Sequence, residues 1–480
     1  MSFLGAIEDL AVGRITFSLT NYLYNRKGIL KTCSQLMQSE RHPQEILREL
    51  QLKRLKKVIE YAARWVPFYQ NRFKDAGFQP GDLAKLEDLK GIPPLTRQDV
   101  VDHYTEMVDS RYAASITVAD KSDREEGQPI PFAVFKKHKL VHNTSSGSTG
   151  APTTFYEDGS VTAVNWALEL RLRRWYGAKL GAREARMVCV STDYDPDSRT
   201  NVMRRILWHQ FMLPGVNIAE EEYAFCYDRL RKFKPKILWG FTPALAGLAE
   251  YVLEKGRDVS ECAPIMAIGW ASPLYDHERA VISKAFECHV TNVYGAREVG
   301  HVAAICPAGS FHINQEWLVV EIDEHSVCED TEIGEILVTS LVNSPMPFIR
   351  YRMGDLGSLT DKQCACGRTL QVLASLLGRT GEIFVTKDGK MISPNLWGRT
   401  FMDAEINRAV DRFQVIYTRE KDLRIKIVRR PNYSDAVESR LLKSIRTNFS
   451  SDTTIDFEYV PEIKPRVSGK YQMVVNETDS

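Results

Sequence analysis

Hydrophobic residues between positions 47 and 62 recur at the spacing of an amphipathic helix. The positions concerned are Leu47, Leu50, Leu55, Val58, Ile59 and Ala62. Residues at this spacing return to one side of a helix of about 3.6 residues per turn, so the stripe predicts one buried face. Pro67 is expected to end the segment, because proline lacks an amide hydrogen. Similar patterns predict helices at 162–175 and 221–232, and residues 1–110 are expected to be largely helical.

Short apolar segments rich in β-branched residues alternate with these helices. They lie at 186–191, 237–239, 265–268 and 289–293. Alternating strands and helices are typical of a parallel sheet covered by helices, so this part of the chain is predicted to be an α/β core.

The pattern changes after about residue 310. Strands are predicted at 318–322 and 335–341, joined by a polar, acidic turn and paired in an antiparallel or barrel-like way. The last hundred residues predict a compact α+β unit with strands at 413–417, 423–428 and 454–459 and a helix at 434–448. We therefore expect a large N-terminal multi-layer α/β domain with a β-rich subdomain (1–378) and a small mobile α+β domain (379–480). The boundary is placed at glycines 378 and 381.

Length and charge exclude several classes of protein. A chain of 480 residues exceeds the size of one hydrophobic core, which agrees with two or more domains. Its 63 basic and 62 acidic residues nearly cancel, which argues against bulk nucleic-acid binding and an electrostatic membrane anchor. The basic run Lys53, Arg54, Lys56 and Lys57 is predicted to form the solvated face of a helix.

The N-terminus and the cysteines predict the cellular compartment of the protein. Glu8 and Asp9 lie where a signal peptide would carry positive charge, and no apolar run is long enough to span a bilayer. The nine cysteines are an odd number spread over a long chain, which favours a reducing compartment, so a cytoplasmic monomer or homodimer is expected. Four of them are predicted to be core residues: Cys189, Cys226, Cys262 and Cys288.

Residues 142–153 consist mostly of Gly, Ser, Thr and Asn. Glycine allows backbone N–H groups to approach an anion closely, and hydroxyls add donors, so the segment is a candidate phosphate-binding loop. It lacks the Gly-Lys-Ser/Thr ending of the Walker loop. From its composition alone, a surface turn is an equally good interpretation.

Four further motifs follow in order along the chain. They are Asn-Val-Tyr-Gly-Ala-Arg-Glu at 292–298, Arg-Tyr-Arg-Met-Gly-Asp at 350–355, Leu-Gly-Arg at 377–379 and Pro-Arg-Val-Ser-Gly-Lys at 465–470. In this order, with the loop at 142–153, they resemble the core motifs of the adenylate-forming superfamily. The specific likeness is to its phenylacetate–CoA ligase-like branch, which includes coenzyme F390 synthetases and capsule-cluster ligases, and it covers residues 45–475.

The resemblance implies an ATP-dependent enzyme that converts a carboxylic acid to its acyl-AMP and passes the acyl group to an acceptor thiol or amine, with CoA expected. It implies that Glu298 holds Mg²⁺ and that Lys470 bridges the carboxylate and the α-phosphate. The loop residues implied to hold the β- and γ-phosphates are Ser145, Ser146, Gly147, Ser148, Thr149 and Gly150.

The same resemblance assigns residues to the base, the ribose and the α-phosphate of the nucleotide. Tyr294 is implied to pack on adenine, Gly295 to let the backbone pass close to the nucleotide, and Ala271 and Ser272 to contact the base. Asp355 is implied to bind the ribose hydroxyls and Arg379 to lie near the ribose or the α-phosphate. The segment 387–392, with Gly389, resembles the loop that meets the pantetheine arm of CoA.

The sequence departs from the family pattern at two places. Ala151 stands where the phosphate loop commonly has lysine, and only one acid, Glu382, follows Arg379 at the hinge, where two are common.

A second constellation consists of three cysteines and a histidine: Cys306, His312, Cys364 and Cys366. Three thiols and an imidazole are a common closed ligand set for structural zinc. Part of the resembled branch carries this arrangement as bound zinc. The alternative is a set of independent cysteines and a core histidine.

Several alternatives remain open at the level of sequence. The enzyme could form an amide or ester, or transfer AMP itself to a small molecule, and a non-catalytic nucleotide-binding protein is the alternative from another class. Residues 239–242 could line an apolar substrate pocket or pack in the core. The acidic segment 193–197 could face a polar substrate or form a solvated loop.

Overall fold

The computed structural model describes residues 28–112, 140–145, 153–190, 195, 198–216, 218–260, 262–323, 332–380, 384–389, 391–392, 395–401, 403–449, 451–463 and 474–477. Its first part is helical, as predicted. The α-helices are α1 (Ile29–Ser39), α2 (Gln44–Trp65), α3 (Pro67–Asp75) and α4 (Arg97–Asp102). Pro67 both stops α2 and begins α3, where the amide hydrogen that it lacks is not needed.

The predicted α/β core is present and parallel. Its strands are β3 (Glu184–Val190), β4 (Gln210–Val216), β5 (Ile237–Phe241), β6 (Met266–Trp270) and β7 (His289–Ala296), in the order β4-β3-β5-β6-β7. Its helices are α5 (Gly159–Trp175), α6 (Arg199–Trp208), α7 (Glu220–Phe233), α8 (Thr242–Glu254) and α9 (Asp276–Phe286). Both long helices predicted here are confirmed as α5 and α7.

The sheet continues beyond β7 with antiparallel strands. They are β8 (Gly300–Ile305), β9 (Phe311–Ile313), β10 (Leu318–Asp323), β11 (Gly334–Ser340), β12 (Tyr351–Thr360) and β13 (Val372–Arg379). Their order from the far edge is β10-β11-β12-β13-β9-β8, so one eleven-stranded sheet holds both patterns. Most residues of the motifs at 292–298 and 350–355 lie within β7 and β12.

A two-stranded antiparallel hairpin precedes α5. It consists of β1 (Leu140–Ser145) and β2 (Thr153–Asp158), and Ser145 pairs with Thr153. The hydroxyl- and glycine-rich stretch therefore connects two paired strands.

The C-terminal residues have a hydrophobic core of their own, made of side chains from Phe384 to Val474. The elements are β14 (Phe384–Val385), β15 (Met391–Ile392), α10 (Asn395–Phe401), α11 (Ala404–Ala409), β16 (Val410–Tyr417), β17 (Leu423–Arg429), α12 (Asp435–Arg446), β18 (Ile455–Tyr459) and β19 (Val474–Asn476). The predicted α+β pattern is confirmed, and the exact domain boundary stays a prediction.

The position of Arg54 corrects the prediction that the whole basic run is solvated. Lys53, Lys56 and Lys57 are exposed, but the Arg54 guanidinium lies over the Trp317 ring, with its carbon 3.5 Å from the ring centroid. Arg54 also donates to the Glu316 carbonyl, so it joins α2 to the segment before β10.

Other burial predictions hold. Cys226, Cys262 and Cys288 are buried, whereas the side chain of Cys189 lies outside the described residues. Trp239 is a core residue, and Phe241 stacks on Trp270 with ring centroids 5.3 Å apart.

No helix in the described part of the chain has the length and apolar character needed to cross a bilayer.

Candidate active site and cysteine–histidine cluster

Tyr294 on β7 and Asp355 on β12 form the centre of the candidate nucleotide site. The Tyr294 hydroxyl donates to Asp355 Oδ2 at 2.9 Å. Burial raises the pKa of Tyr294 well above its usual range, so the phenol stays a donor. Burial also raises the pKa of Asp355, which the Arg379 charge and the Tyr294 hydrogen bond oppose. One phenol occupies only part of the acceptor capacity of a carboxylate, so Asp355 can still accept hydrogen bonds from a ligand.

A second phenol–carboxylate pair joins the same two regions in the opposite sense. Glu298, in the turn after β7, is 7 % exposed. Burial and the charge of the neighbouring Glu298 carboxylate raise the pKa of Tyr351, the first residue of β12. Each region therefore supplies one phenol and one carboxylate to the other.

These crossed pairs require a curled sheet. Strands β8, β9 and β13 separate β7 from β12 in the hydrogen-bonded order. Side chains of β7 and β12 can touch only because the sheet bends back on itself, as strongly twisted antiparallel sheets do. The curl brings Glu298 and Asp355 into one region.

Arg379 joins this region from the end of β13, where its backbone is paired with that of Asp355. Its positive charge lowers the pKa of Asp355, Tyr294 and Tyr351, against the effect of burial in each case. The predicted Arg379 thus lies beside the predicted Asp355.

The predicted base-contacting loop follows β6 and is tied to β7. Ala271 is exposed and has a φ of +61°. The Ser272 carbonyl accepts hydrogen bonds from Asn292 Nδ2 at 3.2 Å and Thr242 Oγ1 at 3.3 Å. Asn292 lies two residues before Tyr294, so this loop borders the same region.

Gly295 has a structural reason to be glycine. A Cβ placed there would lie 2.2 Å from the Gly300 carbonyl oxygen. The close approach of β7 and β8 therefore excludes a side chain, whatever binds beside it.

The hairpin β1–β2 is linked to the Glu298 turn. Arg297 Nη1 donates to the Thr144 carbonyl at 2.7 Å, one residue before Ser145. The backbone of Ser145 ends β1. The other predicted phosphate-loop residues and the predicted catalytic lysine lie outside the described residues: Ser146, Gly147, Ser148, Thr149, Gly150 and Lys470.

The four predicted metal ligands come together. The ligand atoms of Cys306, His312, Cys364 and Cys366 all lie within 4.8 Å of one another. Cys306 Sγ is 3.6 Å from Cys364 Sγ, and His312 Nε2 is 3.2 Å from Cys366 Sγ. Ligands on a zinc tetrahedron are separated by about 3.5–3.8 Å, so the set fits such a cation.

The histidine of this cluster is oriented by the protein. His312 Nδ1 lies 3.1 Å from the Leu370 carbonyl, an arrangement that leaves Nε2 free to bind a metal. The Trp175 ring meets His312 edge to face, and Trp175 Nε1 donates to Glu40 Oε2 at 2.7 Å. Arg368 pairs with the same Glu40 carboxylate at 3.3 Å.

Tyr351 is a residue of the site that no sequence pattern singles out. It belongs to the motif at 350–355, and an aromatic residue at the start of a strand reads as core packing. Only its meeting with Glu298 across the curled sheet reveals the second pair.

Comparison with known proteins agrees with this architecture. Residues 384–477 match the family model of the CapK C-terminal domain. A phenylacetate-coenzyme A ligase of Thermus thermophilus is 27 % identical over 397 residues, 79 % of this chain and 80 % of that protein. Protein CapK of Staphylococcus aureus is 22 % identical over 488 residues, 95 % of this chain and 99 % of that protein.

Solved structures with the same fold include 2-hydroxyisobutyryl-CoA ligase. Its complex with R3-HIB-AMP in the postadenylation state has a TM-score of 0.67 at 19 % identity, and the match covers 92 % of this chain and 91 % of the other. Its complex with 2-HIB-AMP and CoA in the thioesterification state has a TM-score of 0.57. The fold is that of the adenylate-forming CoA ligases, and the likeness to the phenylacetate–CoA ligase branch is confirmed.

Proposed function

We propose that this protein uses ATP to convert a carboxylic acid to its acyl-AMP and then transfers the acyl group to CoA. The observation that carries the proposal is the meeting of Tyr294, Glu298, Asp355 and Arg379 at one end of a curled sheet. The hydrogen bond from Arg297 to Thr144 holds the hydroxyl-rich hairpin at the same place. The acyl-CoA ligase names of the sequence relatives and of the structural neighbours support the same reaction.

In the first step a carboxylate oxygen attacks the α-phosphorus of ATP, and pyrophosphate leaves. Both reactants are anions, so the protein must supply donors and positive charge where negative charge develops. Lys470 would bridge the carboxylate and the α-phosphate, as a lysine on a flexible stem can. The backbone and hydroxyls of 145–150 would hold the β- and γ-phosphates.

Asp355 would bind the ribose. Its carboxylate already accepts one hydrogen bond from Tyr294, and the ribose hydroxyls would take the remaining acceptor positions. Ala271, Ser272 and Tyr294 would border the base, and Arg379 would lie at the ribose or the α-phosphate.

A carboxylate is the kind of ligand that Mg²⁺ prefers, and Glu298 is the residue that would hold it. Bound Mg²⁺ would neutralise phosphate charge. The Glu298 carboxylate lies near enough to Tyr351 for its charge to raise the pKa of that phenol, so the turn after β7 meets the start of β12 at this residue.

The cysteine–histidine cluster would hold one structural Zn²⁺. Burial raises the pKa of Cys306 to about 11, and a bound divalent cation would favour its thiolate. Four protein ligands leave no position open for substrate, so we assign the site to stability and not to the reaction.

In the second step the CoA sulfur attacks the acyl carbon, and AMP leaves. The hairpin β14–β15, whose turn contains Gly389 at a φ of +84°, is the segment that we expect to meet the pantetheine arm. An amine or hydroxyl acceptor is the second candidate, favoured by the single acid at the hinge.

The test is pyrophosphate release with a panel of carboxylic acids, followed by mass analysis of the product with CoA present. We expect one acid class to release pyrophosphate in an ATP-dependent way and to yield a thioester. An acyl-AMP that accumulates without a thioester favours the second candidate. No pyrophosphate release with any acid contradicts acid activation.

A further inference from the structure

Arg297 is an exposed arginine at the entrance of the hydroxyl-rich hairpin. It directly precedes Glu298, and its Nη1 donates to the Thr144 carbonyl at 2.7 Å. Thr144 is followed by Ser145, where β1 ends. Arg297 therefore follows β7 directly before the predicted magnesium ligand, and its guanidinium contacts the strand that leads into the predicted phosphate loop.

Most of the hydrogen-bonding capacity of Arg297 is unused. A guanidinium has five N–H donors in a planar fork, which matches two phosphate oxygens at once. The bond to Thr144 uses one of them, and the described residues supply no other hydrogen bond or ion pair to this side chain. That bond also holds the fork in place before a ligand arrives.

Another arginine makes a matched contact at the opposite end of the same strand. Arg279 Nη1 donates to the carbonyl of Val290, near the start of β7, at 2.6 Å. Arg279 thus shares the backbone-bracing role of Arg297 but lies away from the hairpin and from Glu298.

We propose that Arg297 binds the pyrophosphate end of the nucleotide, meaning the β- and γ-phosphates of ATP and the pyrophosphate that leaves. This inference rests on the proposed function. When the carboxylate oxygen bonds to the α-phosphorus, the bond from phosphorus to the bridging oxygen breaks, and its electron pair goes to pyrophosphate. The fixed charge of Arg297 stabilises that pair, while adenosine and the α-phosphate are held by other residues.

The experiment is titration calorimetry with ATP, inorganic pyrophosphate and AMP, each in the presence of Mg²⁺ and without any acid substrate. The proteins are wild type, Arg297→Ala, Arg297→Lys and the control Arg279→Ala. For Arg297→Ala we expect ATP and pyrophosphate to bind about 10- to 100-fold more weakly, with AMP changed less than about threefold. Arg297→Lys should be intermediate, because lysine keeps the charge but lacks the fork. Arg279→Ala should match wild type.

Two results overturn the proposal. One is unchanged affinity of Arg297→Ala for ATP and pyrophosphate, and the other is an equal loss for AMP and ATP, which would leave Arg297 with a bracing role alone. If Arg297→Ala fails to fold, the same comparison is made with Arg297→Lys. Because no acid is present, the outcome is separate from the test of the reaction: a wild type that binds ATP but activates no acid contradicts only the proposed function.

Discussion

The candidate nucleotide site and the cysteine–histidine cluster lie at opposite ends of the same strands. Strand β8 begins just after Glu298 and ends just before Cys306, a length of roughly 17 Å for six residues. Strand β13 begins after Cys366 and ends at Arg379. One end thus carries two carboxylates with their phenols, and the other carries four closely spaced metal ligands.

The two ends differ in whether their side chains already form a complete ligand set. At the cluster end, the three cysteines lie in loops next to strands and His312 lies in β9, where Trp175 contacts it and Glu40 and Arg368 hold Trp175 from behind. At the nucleotide end, acceptor and donor groups remain available for a ligand. A closed set favours a structural role, and an open set favours chemistry. The cluster would therefore brace strands whose other ends bind the nucleotide.

The largest expected effect is at the open end. Lys470→Ala should lower carboxylate-dependent pyrophosphate release by about 100- to 1,000-fold, because the charge at the α-phosphate is lost. ATP affinity measured by calorimetry should change little. The control is Lys443→Ala, an exposed lysine on α12, which should behave as wild type. Equal turnover in Lys470→Ala would remove this residue from the mechanism.

Asp355→Asn should have the next largest effect. The amide keeps the size of the side chain but replaces a charged acceptor, so we expect kcat/KM for ATP to fall by about 10- to 100-fold. Tyr294→Phe is the matched variant, because it removes only the donor to Asp355 and should cost a few-fold at most. If both variants lose the same amount, the hydrogen bond between Tyr294 and Asp355 accounts for the loss, and Asp355 has no separate role at the ribose.

Removal of the cluster should affect stability more than chemistry. We expect about one zinc per chain in wild type and almost none in Cys364→Ser, with the thermal midpoint lowered by roughly 5–10 °C. Pyrophosphate release by the folded variant at low temperature should remain within about tenfold of wild type. The control Cys262→Ser changes a buried thiol outside the cluster and should keep its zinc. Metal-free wild type with unchanged stability would end the zinc assignment.

The smallest effect is expected from Trp175→Phe. Phenylalanine keeps a ring beside His312 but lacks the N–H that donates to Glu40, so the free energy of unfolding should fall by about 1 kcal/mol. Zinc content should be unchanged. Loss of metal in this variant would mean that the tryptophan, more than the thiols, determines the geometry of the cluster.

Local periodicity predicted most of the regular elements. The stripe of α2, the helices α5 and α7 and four of the five parallel strands were evident, because each depends on spacing within a short window, whereas β4 (Gln210–Val216) was not predicted. The four cysteine–histidine ligands were also found from sequence, since their chemistry is distinctive at any position. Strands β9 and β12 were not predicted, because β9 has only three residues and Gly354 and Gly357 interrupt β12, and β8 was not predicted either.

Long-range geometry could not be predicted in this way. The residues of each phenol–carboxylate pair are more than fifty positions apart, and only the curl of the sheet joins them. The helical pattern predicts Arg54 in solvent. The Trp317 ring that it contacts is distant in sequence, so no local pattern predicts the contact. The roles of Ser148 and Lys470 rest on resemblance and stay predictions.

The crossed arrangement of the two phenol–carboxylate pairs has an evolutionary consequence. Because β7 and its turn provide Tyr294 and Glu298 while β12 provides Tyr351 and Asp355, a shift of either strand would separate both carboxylates from their phenols at once. Homologues with a substitution at one of these four positions should therefore carry a compensating substitution at its partner. In an alignment of homologues, the four positions should vary together or remain unaltered.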